Sequence, residues 1–406
     1  MKARYGDCFH RGKIMNQKLN DLWEKYYKKV YDIRHQIHMN PELGFEEYET
    51  SKLVASELEK LGIEVTKNVA KTGVVGLIKG GHPGKTVALR ADMDALRITE
   101  EGDYEFKSKN PGVMHACGHD GHTASLLGVA MMLNEIKDEL HGNVKLIFQP
   151  AEEVEGGALP MIKEGVLENP KVDAVFGGHL WGSIEEGKVA VKHGAMMASP
   201  DIFTIKINGK GGHAGLPHAS VDPVPIMAQV ITALQTIVSR KNDPTNPLVI
   251  SCCNVHSGEC HNAIPTEAII QGTVRTLNNE TRDFAEETIE KFVKGIVESQ
   301  GASYEFEFIR QFPPLVNDKN MADVLEKAAQ KVVGDENVFE LATPSMGGED
   351  FAFYTEEVPS SFAFVGMTKD VEKPILHHNA KFAWEDKNMK NLAQTLAQVA
   401  IDFLNN

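Results

Sequence analysis

Apolar residues recur at helical spacing over residues 19–38, where Leu22, Tyr26, Val30, Ile33 and Ile37 share one face. Asn40-Pro41 ends that run. A second helix is predicted over 47–61, with Gly62 as its C-cap. Beyond it, short apolar runs alternate with helical stretches. Strands are predicted at 86–90 (TVALR), 143–148 (NVKLIF) and 173–177 (DAVFG), and a helix with an apolar body at 123–137. This alternation predicts an open α/β sheet with helices on its faces.

The middle of the chain reads differently. Strands are predicted at 201–208, 248–255, 268–277 and 303–310. Helices are predicted at 223–240, with Ile226, Val230, Leu234 and Ile237 on one side, and at 280–299. The order βαββαβ is the ferredoxin-like pattern, and a unit of about a hundred residues suits an independent small domain. α/β character then returns with a helix at 321–333, a strand at 361–366 and a closing helix at 388–404. The expected organisation is an α/β domain split into residues 1–198 and 312–406, with a ferredoxin-like domain inserted at 199–311.

Composition narrows the function classes. The 406 residues have 42% hydrophobic and 24% charged side chains, an ordinary globular balance. Lys+Arg number 42 and Asp+Glu 57, a net charge of −15, which argues against binding nucleic acid or an anionic membrane. The longest strongly apolar stretch, 125–133, falls far short of the ~20 residues of a membrane span. The start, MKARYGDCFHRGK, is basic with no apolar core behind it, so it does not read as a secretory signal. Met15 reads as an internal start, with the residues before it an extension. Five cysteines (Cys8, Cys117, Cys252, Cys253, Cys260) are too few and too scattered for a disulfide scaffold. Reduced thiols in a cytoplasm are expected.

Three predicted strands run into polar clusters: TVALR into Ala91-Asp92-Met93-Asp94, NVKLIF into Gln149-Pro150-Ala151-Glu152-Glu153, and DAVFG into Gly178-His179. Open α/β sheets bind ligands beyond the carboxyl ends of their strands, so the clusters are expected on one rim. His115-Ala116-Cys117-Gly118-His119-Asp120-Gly121-His122 lies between the first two. A thiolate, imidazoles and a carboxylate suit a borderline divalent ion such as Zn²⁺, with Mn²⁺, Co²⁺ or Ni²⁺ as competitors. Of the adjacent Glu152 and Glu153, one can face the metal and the other serve as general base. His377-His378 can return a further ligand to the rim. Cys117, His119, Glu153, His179 and His378 make five groups, more than one catalytic zinc usually takes, and fit two ions sharing a thiolate and a water.

Each feature has a plainer reading. His115–His122 can be a polar loop capped by Asp120, Glu152-Glu153 a solvated turn, and His179 a satisfied core histidine. His35 and His38 are expected to be structural. Cys252 and Cys253 alternate along a strand and read as packing residues on opposite faces. No G-x-G-x-x-G opens a helix after a strand, which weakens an oxidoreductase reading.

HACGHDGHTA, FQPAEE, GGHAGLPH, HNAIP and MGGEDFA together resemble the amidohydrolase branch of the dinuclear-metal aminoacylase and carboxypeptidase family. That branch includes hippurate hydrolases, indoleacetyl-amino-acid hydrolases and N-acyl-amino-acid deacylases. IRHQIHMNPELGFEE, KTGVVG and LRADMDAL extend the resemblance, which covers the chain from about Ile33 onward. It implies a metallohydrolase catalytic domain with an open mixed sheet and an inserted ferredoxin-like (βαββαβ) lid or dimerisation domain. It also implies two divalent ions per chain and a homodimer or homotetramer formed through the insertion. By position, Cys117 would bridge the ions, Glu153 and His378 would hold one, and His119 and His179 the other. Glu152 would be the general base and later the acid. His213 would assist from the inserted domain, and Asn262 and Arg275 would bind substrate there. Backbone donors near Gly347 and Gly348 are further substrate-binding candidates. Arg97 and Ala380 stand where relatives commonly have proline. His377 and His378 compete for one ligand position, and the spacing to Phe382 favours His378.

The expected activity is hydrolysis of the amide bond of an N-acyl-amino acid. A carboxypeptidase or dipeptidase acting on short peptides is the alternative within enzymes. A metal-binding protein without turnover is the alternative outside them.

Overall fold

The computed structural model describes residues 2–405, with side chains from Met15 onward, so the expectations about Cys8 and the segment before Met15 lie outside the described side chains. The chain divides into two compact units. The first comprises Met1–Gly194, Asn317–Ala342 and Phe353–Asn406, and the second Ala195–Val316 and Thr343–Ala352.

The first unit is built on an eight-stranded mixed sheet. Its order is Glu64–Val69, Gly73–Lys79, His141–Gln149, His82–Asp92, Ala174–Glu185, Ser360–Thr368, Val189–Val191, Val338–Glu340. The four central strands run parallel, and antiparallel pairings flank them. Parallel strands covered on both faces need apolar side chains on both. Val87, Leu89, Val144, Leu146, Phe176 and Val365 are accordingly solvent-free. Helices Lys2–Met39, His119–Glu135 and Met389–Leu404 pack together over this core. Helix His119–Glu135 is buried all round to Leu133, which explains why 125–133 is the most apolar stretch without being a membrane span. No helix among the described residues is long and apolar enough to cross a membrane.

Two details of this sheet differ from the sequence reading. The strand expected to stop at Gly177 runs on to Glu185, so His179 sits inside a strand and not beyond its end. The ladder to Ser360–Thr368 sustains it, pairing His179 with Phe364 and Trp181 with Gly366. Strands Glu64–Val69 and Gly73–Lys79 escaped prediction because the first buries only Val69 and carries Lys, Asn and Thr elsewhere.

The second unit contains a four-stranded antiparallel sheet in the order Leu248–Ser257, Glu267–Thr276, Ser199–Asn208, Ser303–Ile309. Helices Pro223–Thr236 and Asn279–Ser299 pack on it around Phe203, Ile205, Ile270, Ile289 and Val293. With strands numbered along the chain, the spatial order is 2-3-1-4, the ferredoxin-like arrangement. Asp222 and Asn278 cap the two helices through Val224 N–H and Thr281 N–H. The strict alternation expected at Cys252 and Cys253 is broken by a register shift between Cys252 and Asn254. Cys252 packs against the core and Cys253 is exposed. Segment Thr343–Ala352, read above as part of 312–406, belongs to this unit. Ala198 N–H donates to the carbonyls of Ser345 and Gly347, at 3.1 and 3.0 Å.

A buried ion pair ties this unit's long helix to its sheet. Arg282 Nε donates to Asp201 Oδ2 at 2.8 Å, Arg282 Nη2 to Oδ1, and Gln311 N–H to Oδ1 at 3.1 Å. Asp201→Ala should strand the guanidinium in the interior and destabilise the chain by about 3–5 kcal/mol. Urea unfolding checks this; an unchanged midpoint would show that the pair does not hold the helix.

Candidate metal centre

Register places the site's elements before any side chain is considered. Asp92 lies opposite Gln149 where two parallel strands end, and Arg90 lies opposite Gly177. Two of the three polar clusters therefore leave the sheet at one rim, with His179 two residues past Gly177. The HACGHDGH segment joins them through Gly118, which has φ of +102° at the N-cap of helix His119–Glu135. A side chain at that φ would be strained. The turn delivers Cys117 just before the helix and His119 as its first residue.

Five histidines gather at this rim, with His179 and His377 against the Cys117 sulfur, and the partner of each ring bears on which nitrogen carries the proton. His119 Nδ1 donates to Asp94 Oδ1 at 3.2 Å, and Nε2 is turned into the site, 3.8 Å from both Asp92 Oδ2 and Glu153 Oε1. His179 Nδ1 donates to Leu180 O at 2.7 Å, which leaves Nε2 as a lone pair 3.4 Å from Cys117 Sγ. His122 is opposite in sense: Nε2 accepts from Leu180 N–H at 2.9 Å, and Nδ1 donates to Asp92 Oδ1 at 2.7 Å. In His377, Nε2 accepts from Gly182 N–H at 3.0 Å, which puts the proton on Nδ1, 3.7 Å from Cys117 Sγ. His378 Nε2 lies 3.1 Å from Glu153 Oε1, and its backbone N–H is tied to Ala116 O at 2.8 Å. Thus His179 presents an acceptor nitrogen and His119 turns Nε2 toward Asp92 and Glu153, whereas His122, His377 and His378, whose Nε2 faces a carboxylate that can only accept, present N–H groups. Of the adjacent histidines, His377 lies against Cys117 and His378 against Glu153.

The acids are organised around these rings. Asp94 accepts Glu153 N–H on Oδ2 at 2.9 Å and His119 on Oδ1, so it links the two loops. Asp92 is buried, which alone would raise its pKa. His119, His122 and Arg90 outweigh that and hold it well below the usual carboxylate range. Glu47, 25 residues before Thr72, accepts the Thr72 hydroxyl at 2.5 Å and Ala151 N–H at 2.8 Å. Burial pushes Glu47 up to about 7. Ala151 has φ of +58°, a strained value for a residue with a Cβ, immediately before Glu152.

Behind the helix start, Arg34 and His38 hold Asp120 at 3.0 and 2.8 Å, and His38 also meets Glu100 at 3.1 Å. His35 bonds Asp386 at 2.9 Å. Both residues of the His35/His38 pair are thus engaged in structural bonds. His115 is fully buried, pushed down to about 4 chiefly by burial, and joins none of the clusters whose ligand atoms converge.

The residues fit a metal. His119 Nε2 is buried and has no hydrogen-bond partner, a defect that native interiors rarely tolerate without an ion or water. Ligand atoms of Cys117, His119 and Glu153 lie within 4.8 Å of one another, as do those of His119, His122 and His179. Burial, followed by Glu153, Glu152 and Asp92, drives the Cys117 thiol well above its ordinary range. Only a nearby cation would make it a thiolate. Sulfur, imidazole and carboxylate together match a borderline divalent ion. Glu152 is buried beside Glu153.

The remaining predicted residues lie in the second unit. His213 pairs with Ala263 in a short ladder, and Ala214 N–H reaches Asn262 O at 3.1 Å. His213 Nδ1 accepts Gly215 N–H at 3.0 Å, leaving Nε2–H as an exposed donor. Arg275 is half-buried on strand Glu267–Thr276. Gly347 N–H donates to Ser345 Oγ at 3.1 Å, so that donor is committed within its own turn. Gly348 has no room for a side chain, since a Cβ would lie 2.6 Å from Pro200 Cγ. Of the two positions that depart from proline, Ala380 receives Glu101 N–H at 2.8 Å on its carbonyl, a bond that a proline there would also permit.

Residues 88–402 match the model of peptidase family M20/M25/M40. The chain is 48% identical over 305 residues to an N-acyl-L-amino acid amidohydrolase of Geobacillus stearothermophilus, covering 75% of this chain and 82% of that protein. It is 44% identical over 382 residues to thermostable carboxypeptidase 2 of Saccharolobus solfataricus, covering 93% and 95%. The crystal structure of the Bacillus subtilis YXEP protein, described as a dinuclear metal binding peptidase of the M20 family, superposes with a TM-score of 0.82. It is 36% identical and covers 94% of this chain and 99% of that one. A rim of sulfur, imidazole and carboxylate on a mixed sheet, matched along nearly the whole chain, identifies this protein as a metal-dependent amidohydrolase belonging to peptidase family M20/M25/M40.

Proposed function

We propose that the enzyme hydrolyses the amide bond of N-acyl-amino acids, hippurate-like or N-acetylated, releasing a carboxylic acid and an amino acid. The observation that supports this reading most is the Nε2 of buried His119, which has no hydrogen-bond partner and lies beside Cys117 and Glu153, with a second carboxylate, Glu152, adjacent in the chain. Cys117, His119, Glu153, His179 and His378 would hold two divalent ions, Zn²⁺ or Mn²⁺, with Co²⁺ or Ni²⁺ as substitutes. Bound there, such ions polarise a carbonyl and lower the pKa of a water toward ~7.

The chain's own residues do the rest. Glu152 takes the proton of the attacking water and returns it to the departing amine. By the family resemblance His213 would donate Nε2–H to the oxygen on which charge develops; its Nδ1 bond to Gly215 N–H keeps the proton on Nε2. Arg275 would hold the substrate carboxylate, and Asn262 is a further substrate-binding position implied by the resemblance. Gly347 and Gly348 would contribute only through their backbone, and the Gly347 N–H is already committed to Ser345.

Parallel assays on hippurate, N-acetyl-amino acids and dipeptides, with added Zn²⁺ or Mn²⁺, test the substrate class. The highest kcat/KM is expected on an acylated amino acid. A preference for dipeptides would favour the peptidase reading that the carboxypeptidase relative supports. Bound metal without turnover on any of them would leave a binding protein.

The insertion is proposed to form a homodimer or homotetramer. Its strand Leu248–Ser257 is at the edge of the sheet and exposes Val255, the kind of edge that pairs with another chain. Light scattering should return at least twice the chain mass of 44.7 kDa. A cytoplasmic location is proposed, in keeping with free Cys117, Cys252, Cys253 and Cys260.

A further inference from the structure

We propose that His377 is a positioning residue that donates a hydrogen bond from Nδ1 to the Cys117 sulfur and tunes the charge of that thiolate without ligating a metal. The inference rests on the metal reading of the Cys117 site given above.

The argument begins at the far side of the ring. Gly182 N–H points at His377 Nε2 over 3.0 Å. A backbone amide can only donate, so Nε2 must be the acceptor. A proton on Nε2 would set two N–H groups against each other in a buried place. Neutral imidazole carries one proton, which therefore sits on Nδ1, and Nδ1 lies 3.7 Å from Cys117 Sγ, within N–H···S range.

Packing leaves the ring little freedom to turn. It sits 5.0 Å from the Trp181 ring, 5.2 Å from His179 and 5.2 Å from Phe382, measured between centroids. Gly182 itself is held against Ile375, whose carbonyl would lie 1.9 Å from any Cβ added there. Ile375 N–H bonds back to Gly182 O at 3.0 Å. The Gly182 amide that orients His377 is thus fixed by the same segment that carries the ring.

His179, at a similar distance from the same sulfur, has the opposite polarity, because its Nδ1 donates to Leu180 O. One sulfur thus faces a lone pair on one side and an N–H on the other. A thiolate carries excess electron density, and an N–H donor lowers it. Outer-shell donors of this kind change metal affinity by about 10–100-fold.

The test uses the Co²⁺-loaded full-length enzyme, whose thiolate gives a sulfur-to-cobalt charge-transfer band. His377→Leu removes the donor. His377→Asn restores an N–H the same number of bonds from Cα as Nδ1. Neither satisfies Gly182 N–H, so the difference between them reports the bond to sulfur alone. The expected result is two cobalt ions in both variants, a band moved to longer wavelength with cobalt affinity about 10-fold lower in His377→Leu, and a return toward the original band in His377→Asn. An unmoved band in His377→Leu would overturn the proposal, as would loss of one cobalt per chain, which would make His377 a ligand. Absence of the band from the unmutated protein would instead contradict the metal reading. Should His377→Leu fail to fold, ¹⁵N shifts of the unmutated Zn²⁺-loaded chain decide: protonated Nδ1 and bare Nε2 are expected on His377, and a proton on Nε2 overturns the proposal.

Discussion

Glu152→Gln should retain two divalent ions per chain and lose about 10²–10⁴-fold in kcat, the range that a positioned general base contributes. Glutamine keeps the size and the acceptor oxygen of glutamate but cannot hold the proton taken from water. KM should change little, because the base acts on water and not on the bound substrate. The geometry separates this residue from its neighbour. Glu153 has its N–H on Asp94 and its carboxylate against His378, so Glu153→Gln should lower metal content as well. Glu152 leaves the same loop one residue after Ala151, whose N–H is clamped by Glu47. Metal analysis beside steady-state kinetics distinguishes the two substitutions. Full turnover by Glu152→Gln would remove the proposed base.

Metal uptake should strengthen steeply as pH rises. Burial, then Glu153, Glu152 and Asp92, raise the Cys117 thiol, so the metal-free chain carries it protonated at pH 7. For His119, burial acts to lower the pKa, but Asp92, Asp94 and Glu153 outweigh it and raise the imidazole to about 10. Both must give up a proton to ligate. His179 is held well below its ordinary value by burial and neighbouring imidazoles, so it is already neutral and releases nothing. His378, raised by its bond to Glu153, adds to these, so at least two protons leave per site formed, and apparent affinity should climb at least about 100-fold per pH unit near pH 7, tenfold for each proton. Calorimetric titrations in buffers of different ionisation enthalpy count those protons directly. An affinity independent of pH between 6 and 8 would contradict the protonation states assigned here.

The sequence revealed the architecture where burial is regular. The helices at 223–240 and 280–299 and the strands between them repeat at periods that one-sided packing imposes, and they emerged within a few residues of their observed bounds. The strand through His179 was cut short because Gly177-Gly178-His179 looks like an ending. Pairing with Ser360–Thr368, some 180 residues away, carries it on to Glu185. The switch of 343–352 to the second unit is hidden for a similar reason. It depends on backbone bonds to Ala198, which no local pattern encodes.

Within the site, residue type announced Cys117, His119, Glu152 and Glu153, since thiol, imidazole and adjacent carboxylates are uncommon together. The supporting groups were less legible. Asp92 and Asp94 were visible as a cluster without a task. Glu47 stood only as the first residue of a predicted helix, and only the fold shows it holding Ala151 and Thr72. The proton positions on His122, His179 and His377 depend on Leu180 and Gly182 backbone atoms, so they could be read only from three-dimensional structure.

The central claim is that Cys117, His119, Glu153, His179 and His378 together clamp two cations. Anomalous diffraction from crystals grown with Mn²⁺ or Zn²⁺ tests it most directly. Two peaks per chain are expected, one against His119 and His179 and one against Glu153 and His378, with Cys117 Sγ touching both. A single peak, or peaks that leave Cys117 and His119 Nε2 without an ion, would contradict the account.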